Sequence, residues 1–226
     1  WIKKWDAVLP PKKLTSHEDL IDAQKQDETE YFAWFPGSEL NISYNCLDRH
    51  ILKGNGNKVA VYYDSAVTGE RKSISYNKLF QEVNILARVL VEDLGVKKGD
   101  VVVIYFPNGY RIMTAMLACA RIGAIHSVVF GGFAAPELAK RIVHGGAKVI
   151  LTCSGGVEGT RLVDYVSLVE DALKIIPTLE GGIEHKVEHV LFHQRKAHPL
   201  FKEIDLKTRL YGIGKSWKGL IQDKKT

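Results

Sequence analysis

The sequence predicts an α/β fold, with a doubly wound and mostly parallel sheet that is flanked by helices. Three short apolar runs, at residues 101–105, 124–130 and 148–153, alternate with segments of helical length and periodicity. Runs this apolar are typical of strands that are buried on both faces, as in a parallel sheet covered by helices. Because parallel strands are joined by right-handed crossovers, the alternation also predicts the winding of the sheet.

The beginning of the chain is predicted to form an irregular extension followed by a hairpin. Ser16 offers a helix cap, with Asp19 three residues further on. The aromatic stretch at 31–52 is typical of an extended arm that packs against a neighbouring body, so residues 1–50 are assigned to an N-terminal extension. At 57–75 the run KVAVYYD, the turn VTGE and the run RKSIS predict a β-hairpin.

The helices are predicted from apolar residues that recur every three or four positions and from capping residues at their ends. The first covers 76–94 and ends at Gly95. The later ones are YRIMTAMLACARIGA, which ends at Gly123, APELAKRIVHGG with Pro136 in its first turn, and VDYVSLVEDALKII, which Pro177 closes. A fourth strand, HVLFH, is predicted at 189–193.

After Gln194 the alternation of strands and helices is lost, and the remaining segment is rich in lysine and arginine. We interpret 51–194 as the α/β subdomain and 195–226 as a basic linker into a downstream region that is missing here. A tail that binds nucleic acid is the alternative interpretation of this segment.

Charge, cysteine use and hydropathy narrow the class of function. The net charge of +5, from 31 basic and 26 acidic residues, is too small to indicate nucleic acid. Three cysteines without C-x-x-C spacing fit reduced thiols in an intracellular, cytoplasmic protein. No apolar run approaches the roughly 18 residues of a membrane span. We therefore expect small-molecule partners, and neither a nucleic acid nor a membrane.

The first candidate site is the loop after the second apolar strand, which contains Phe130, Gly131 and Gly132. Ligands of doubly wound sheets bind beyond the carboxyl ends of the strands. Glycines there let backbone N–H groups approach a ligand closely, and the following helix N-terminus favours negative charge. The alternative is that the two glycines only make a tight turn between strand and helix.

The second candidate site is the glycine-rich loop at 154–161, which follows the third apolar strand. Its Arg161 could grip a phosphate bidentately, whereas a mobile loop with a solvated arginine is the alternative. Because the two loops follow consecutive strands, we expect them to lie side by side and to bind one phosphate-bearing ligand.

Other familiar site patterns are absent from the sequence. Residues 209–216 lack the opening glycine of a P-loop, and no G-x-G-x-x-G follows a strand. His185, His189 and His193 are four apart, which on a strand is roughly 13 Å and too far to share one metal ion. His126 lies in an apolar strand and is interpreted as a core histidine. No catalytic residue and no metal ligand is therefore assigned to this chain.

Four long segments carry a resemblance to a known family. They are WFPGSELNISYNCLDRHI, LARVLVEDLGVKKGDVVVIYFPN, AMLACARIGAIHSVVFGGFAAPELAKRI and GAKVILTCSGG. These segments resemble, nearly run for run, the N-terminal portion of acetyl-CoA and propionyl-CoA synthetases, which are acyl-CoA synthetases of the adenylate-forming, AMP-binding superfamily. The resemblance covers residues 1 to about 176. It implies that the fold is the first N-terminal subdomain of an adenylate-forming enzyme.

The resemblance also implies an activity and its cofactors. Members of the family are acid–thiol ligases that activate a short carboxylate, acetate or propionate, as an acyl-adenylate with Mg-ATP and then transfer the acyl group to CoA. The chemistry relies on charge stabilisation around the phosphates and on exclusion of water from the adenylate.

Carried over residue by residue, the resemblance places part of the CoA site in the two glycine-containing loops. Phe130, Gly131 and Gly132 would lie close to the nucleotide end of CoA. In the second loop the family has two arginines that hold CoA phosphates. Arg161 matches the second, whereas Glu158 stands in place of the first and would repel phosphate; Gly159 and Thr160 lie between them.

Several family motifs are not found in the 226 residues. The proline-containing turn after the first strand is altered, since Pro107 is followed by Asn-Gly-Tyr-Arg. The Ser/Thr/Gly-rich phosphate loop that ends in Pro-Lys-Gly, and the later adenylation motifs, do not occur. The resemblance therefore implies an N-terminal fragment, inactive alone, whose partner is the missing C-terminal part of the same chain. The alternative is a non-catalytic α/β module that binds a nucleotide or a protein.

Overall fold

Nine strands and five α-helices are found in the computed structural model, which describes residues 40–67, 69–195 and 209–224. The strands are β1 (Val59–Asp64), β2 (Arg71–Ser75), β3 (Val101–Tyr105), β4 (Ile125–Val129), β5 (Ala147–Cys153), β6 (Gly156–Glu158), β7 (Arg161–Val163), β8 (His189–His193) and β9 (Gly214–Ser216). The helices are α1 (Tyr76–Arg88), α2 (Tyr110–Ile122), α3 (Ala135–Gly145), α4 (Tyr165–Ile175) and α5 (Trp217–Asp223).

Five of the strands form one parallel sheet in the order β4-β3-β5-β8-β9. The chain moves outward from β3 to β4 and then crosses back over β3 to β5, β8 and β9. Right-handed crossovers in these two opposite directions place their helices on opposite faces of the sheet. Consistently, α1 packs against α2, and α3 packs against α4. The predicted doubly wound α/β fold is confirmed.

The core is centred on β3 and β5, most of whose side chains are fully buried between the two helix layers. The edge strand β4 differs, because Ile125 and Val128 are exposed. The sequence predicted burial on both faces for every apolar strand, and this is wrong for β4. Within the described ranges no strand pairs with the outer side of β4, which is therefore an edge strand. Its apolar composition alone did not reveal this edge position.

The predicted hairpin and helices form close to their predicted bounds because their ends carry specific stop and start signals. The side chain of Ser75 caps α1 by accepting from the Lys78 amide, and Asp164 caps α4 in the same way. Helix α2 ends at Gly123, which has the positive φ of 73° that glycine tolerates best.

The N-terminal segment is helical where the structure describes it. Tyr44–Asp48 and Ile51–Asn55 form π-helical turns, so the prediction of an extended arm is wrong for this part. The helix predicted at Ser16 lies outside the described residues. The Asn41 side-chain amide donates to the carbonyls of Ala120 and Arg121 at 3.1 and 3.2 Å. These contacts fasten the segment to the end of α2, whose last carbonyls lack helical partners.

A buried ion pair joins the same segment to α2. The guanidinium of Arg121 donates through both terminal nitrogens to the two carboxylate oxygens of Asp48. The side chains are only 6% and 13% exposed, and the ring of Phe80 lies 5.1 Å from the guanidinium carbon. Because the pair is shielded from water, losing one partner would leave the other charge poorly solvated.

Residues 209–224 return to the sheet, although the sequence predicted no strand or helix after Gln194. That prediction is wrong, because β9 pairs with β8 and α5 follows it directly. Arg209 makes a bidentate contact with Glu170 at 2.8 and 2.7 Å, and Leu210 and Trp217 are buried. The strand escaped prediction because three residues, Gly-Lys-Ser, carry no apolar periodicity.

No helix in the described portion of the chain has the length and apolar character needed to cross a membrane.

We expect Asp48→Asn to lower the free energy of unfolding by about 3 kcal/mol, because it leaves the charge of Arg121 buried without its counter-ion. Urea denaturation would measure the loss. The matched control is Asp64→Asn, which breaks the Asp64–Arg71 pair, with side chains 66% and 84% exposed. Exposed pairs of this kind contribute less than about 1 kcal/mol. Equal losses in the two variants would contradict the special role of the Asp48–Arg121 pair.

Candidate functional site

The two candidate loops follow β4 and β5, which are not neighbours in the sheet because β3 lies between them. The argument that consecutive strands place the loops side by side is therefore wrong. The loops nevertheless approach each other beyond the carboxyl end of β3, and the residue that joins them is Tyr165, at the start of α4.

Tyr165 packs against a glycine of each loop. A β-carbon on Gly131 would lie 2.1 Å from the Tyr165 hydroxyl oxygen and 3.1 Å from the Phe106 carbonyl oxygen. A β-carbon on Gly156 would lie 2.9 Å from the Tyr165 ring. The ring is buried and packs against the Tyr105 ring at a centroid distance of 4.8 Å and an interplanar angle of 53°. Gly131 is therefore needed for close packing against Tyr165, which is neither the tight-turn role nor the ligand-binding role that the sequence suggested.

The rest of the first loop faces outward. Phe130 is 59% exposed and Gly132 is also exposed. The loop is held from below, since the Tyr105 hydroxyl donates to the Phe133 carbonyl at 2.6 Å. The Phe130 ring meets the Phe133 ring edge-on at 5.7 Å, and the Arg141 guanidinium lies 5.0 Å from the Phe133 ring centroid. This end of α3 therefore presents an exposed aromatic ring with an arginine close by.

The second loop is an ordered hairpin of β6 and β7, with Gly159 at a positive φ of 59° in its turn. Its register pairs Glu158 directly with Arg161. Opposed residues in an antiparallel pair lie about 5 Å apart, so both positions can serve one ligand group. Arg161 is exposed, as is Thr160 in the turn. Only the backbone of Glu158 is described.

A cleft that the sequence did not reveal lies over the carboxyl ends of β3 and β8. It has a volume of about 300 Å³ including space open to solvent. Its lining residues are Tyr63, Phe106, Pro107, Asn108, Gly109, Tyr110, Arg111, His193 and Arg195. The winding reverses between β3 and β5, and such switch points are where open α/β sheets bind ligands. The strand order locates this cleft, and the sequence alone does not give the strand order.

The cleft is electropositive. Burial, together with the smaller effects of the positive charges of Arg111, Arg195 and Lys72, lowers the pKa of His193 to about 3. His193 is therefore neutral at physiological pH. Burial raises the pKa of Tyr110, so its hydroxyl also stays neutral. The cleft can thus offer cationic and neutral donors to an anion.

The buried cysteines are poorly suited to nucleophilic chemistry. Burial raises the pKa of both Cys119 and Cys153 to about 12, which keeps them as thiols. Among the residues that the structure describes, no three His, Cys, Asp or Glu side chains come together as a metal site. His189 and His193 occupy the two ends of β8, as predicted for a strand.

We expect Gly131→Ala to lower the free energy of unfolding by about 2 kcal/mol, because the new methyl group overlaps the packed Tyr165 hydroxyl. In a Tyr165→Phe background the same change should cost less, since the closest overlapping atom is gone. Urea denaturation of the unaltered protein, the two single variants and the double variant gives the coupling free energy between positions 131 and 165. Gly145→Ala is the control, because its nearest contact would be an ordinary 3.5 Å to Val101. Equal costs in both backgrounds would refute the packing role.

Comparisons with known proteins identify the family of the chain. A family model described as AMP-binding enzyme matches residues 48–205. The chain is 51% identical over 195 residues to acyl-CoA synthetase short-chain family member 3, mitochondrial, of Bos taurus, which covers 86% of this chain and 25% of the relative. It is 37% identical over 199 residues to acetyl-coenzyme A synthetase 1 of Candida glabrata, which covers 88% of this chain and 26% of the relative.

A bacterial relative gives the same picture. The chain is 41% identical over 168 residues to acetyl-coenzyme A synthetase of Mycobacterium bovis, which covers 74% of this chain and 25% of the relative. The chain therefore spans about a quarter of the length of these curated relatives. Because the family model covers most of the chain, including the Phe130 loop and the β6–β7 hairpin, this protein belongs to the AMP-binding enzyme family.

Proposed function

We propose that this chain is the N-terminal part of an ATP-dependent acyl-CoA synthetase that activates a short carboxylate, acetate or propionate, and transfers it to CoA. Within that enzyme the chain supplies scaffold and one wall of the CoA site. The observation that carries the proposal is the convergence of the Phe130 loop and the β6–β7 hairpin on Tyr165, with Phe130 and Arg161 both exposed at that end of the sheet.

The residues present fit the nucleotide end of CoA with one exception. Exposed Phe130 and Gly132 leave an accessible aromatic ring and an open backbone segment, while Gly131 lets Tyr165 fix the loop from behind. Arg161 is a permanently charged donor suited to phosphate. The exception is position 158, which is opposite Arg161 in the register and carries a glutamate where the family resemblance implies an arginine.

When CoA is bound in the complete enzyme, its thiol accepts the acyl group from the adenylate. This chain contributes binding and orientation to that reaction. Mg-ATP, the carboxylate and the groups that act on them belong in this proposal to the part of the enzyme outside this chain. We assign no catalytic residue here.

The compartment stays a prediction. The relatives from Bos taurus and Homo sapiens are named mitochondrial, whereas the fungal and bacterial names give no compartment. Expression of the full-length protein with a fluorescent tag would decide between cytoplasm and mitochondria.

Arg161→Ala in the full-length protein should raise the apparent KM for CoA by about tenfold, because a charge-assisted hydrogen bond to phosphate contributes about 1.5–3 kcal/mol. The KM values for ATP and for the carboxylate should not change. Steady-state kinetics with acetate and propionate would measure all three. The matched control is Arg71→Ala, an exposed arginine on β2 that contacts Asp64. An unaltered KM for CoA in Arg161→Ala would remove this residue from the site.

Glu158→Arg should have the opposite effect and lower the apparent KM for CoA. The change replaces a carboxylate that repels phosphate by a second guanidinium opposite Arg161. Glu158→Gln, which only removes the charge, should give an intermediate value. The dependence of KM on salt should steepen in Glu158→Arg, since an added charge contact is screened by ions. A rise in KM for both variants would mean that Glu158 itself contributes to binding.

A further inference from the structure

The cleft over β3 and β8 has no lining residue in the Phe130 loop or in the β6–β7 hairpin. It adjoins the start of the second candidate loop, because Arg195 contacts Ser154 and Gly155. Pro107 and Tyr110 reach it from the segment after β3 and the start of α2, and His193 and Arg195 reach it from the end of β8. With Tyr63 of β1, three sequence regions thus form one concave surface at the switch point of the sheet.

The charges that face this cleft are unbalanced. Among the residues that the structure describes, its lining contains two arginines and no aspartate or glutamate. Lys72 adds a third positive charge, with its ammonium 5.9 Å from the Tyr110 ring centroid, but it is already paired with Glu70 at 3.0 Å. Glu70 and Glu82 act on Tyr110 more weakly than Arg111 does. The walls therefore carry a net positive charge.

Arg111 has its hydrogen-bonding capacity unused within the described chain. Its guanidinium lies 5.0 Å from the Tyr110 ring centroid, and it makes no ion pair or hydrogen bond with any residue that the structure describes. The side chain is half-buried and always charged. Because this half-buried charge has no acceptor among the described residues, Arg111 is the group in this region best suited to bind an anion.

The opposite wall is held in place by hydrogen bonds to the segment after β5. The Arg195 amide donates to the Ser154 hydroxyl at 3.0 Å, and its guanidinium donates to the Gly155 carbonyl at 2.8 Å. His193 stays neutral between the two arginines and meets the Trp217 ring at 6.1 Å. The first turn of α2, which begins at Tyr110, adds backbone N–H groups at the same end.

We propose that this cleft is a binding site for a small oxyanion, a phosphate or a carboxylate, which Arg111 holds against the wall formed by His193 and Arg195. The cleft is small and partly open to solvent, which suits a small group better than a large enclosed ligand. Phosphate is tetrahedral and carboxylate is planar, but both present two neighbouring oxygens that a guanidinium group can bind bidentately. The proposal does not depend on the proposed CoA site.

Isothermal titration of this protein with sodium phosphate, and separately with sodium acetate, tests the proposal at constant ionic strength with chloride as the competing ion. We expect saturable binding of at least one of the two anions. Arg111→Gln should weaken that binding at least about tenfold, whereas Arg111→Lys, which keeps the charge but not the fork, should give an intermediate loss. Binding of phosphate alone or acetate alone identifies the source of the oxyanion.

Arg161→Gln is the control that separates this site from the CoA loops. If phosphate binding survives Arg161→Gln and fails in Arg111→Gln, the cleft is the site. Three outcomes would overturn the proposal: the reverse pattern, equal binding by Arg111→Gln and the unaltered protein, and no saturable binding. None of them would contradict the proposed CoA site. Should Arg111→Gln not fold, NMR of the unaltered protein decides. Phosphate or acetate must then shift the Tyr110 and Arg111 backbone amides more than those of the β6–β7 hairpin.

Discussion

The position of β3 between β4 and β5 is the constraint on which the rest of the structure depends. Because the chain leaves β3 on one side and returns on the other, right-handed crossovers place α2 on one face and α3 and α4 on the other. This reversal buries β3 completely beneath both helix layers, except at its first residue. The cleft lies at the same end of the sheet, lined by the segment after β3 and by the end of β8.

Two arginine–carboxylate contacts fasten the outer segments of the described chain to this centre. Arg121 holds Asp48 at the end of α2, and Arg209 holds Glu170 on α4. The hydrogen bonds from Arg209 lower the pKa of Glu170, which keeps it charged. The first pair is more deeply buried than the second, so it depends more strongly on both partners being present.

Tyr165 gives a packing reason for two glycines at this end of the sheet, which the sequence alone did not provide. Gly131 and Gly156 come from loops that follow non-adjacent strands, yet each lies against the same ring. The close packing of Gly131 and the exposure of Phe130 and Gly132 are therefore compatible. One residue of the loop packs inward while its neighbours face outward. A packing role for Gly131 therefore does not exclude a binding role for Phe130 and Gly132.

The sequence by itself determined the fold class, the bounds of most elements and the family. Periodicity and capping residues act over a few positions, so runs such as 101–105 and signals such as Ser75 and Gly123 could be recognised locally. Only the tertiary structure decided the strand order, because periodicity states which face of a strand is buried and not which strand pairs with it. For the same reason the exposed edge at β4, the short polar strand β9 and the cleft between Arg111 and Arg195 appeared only in the folded chain.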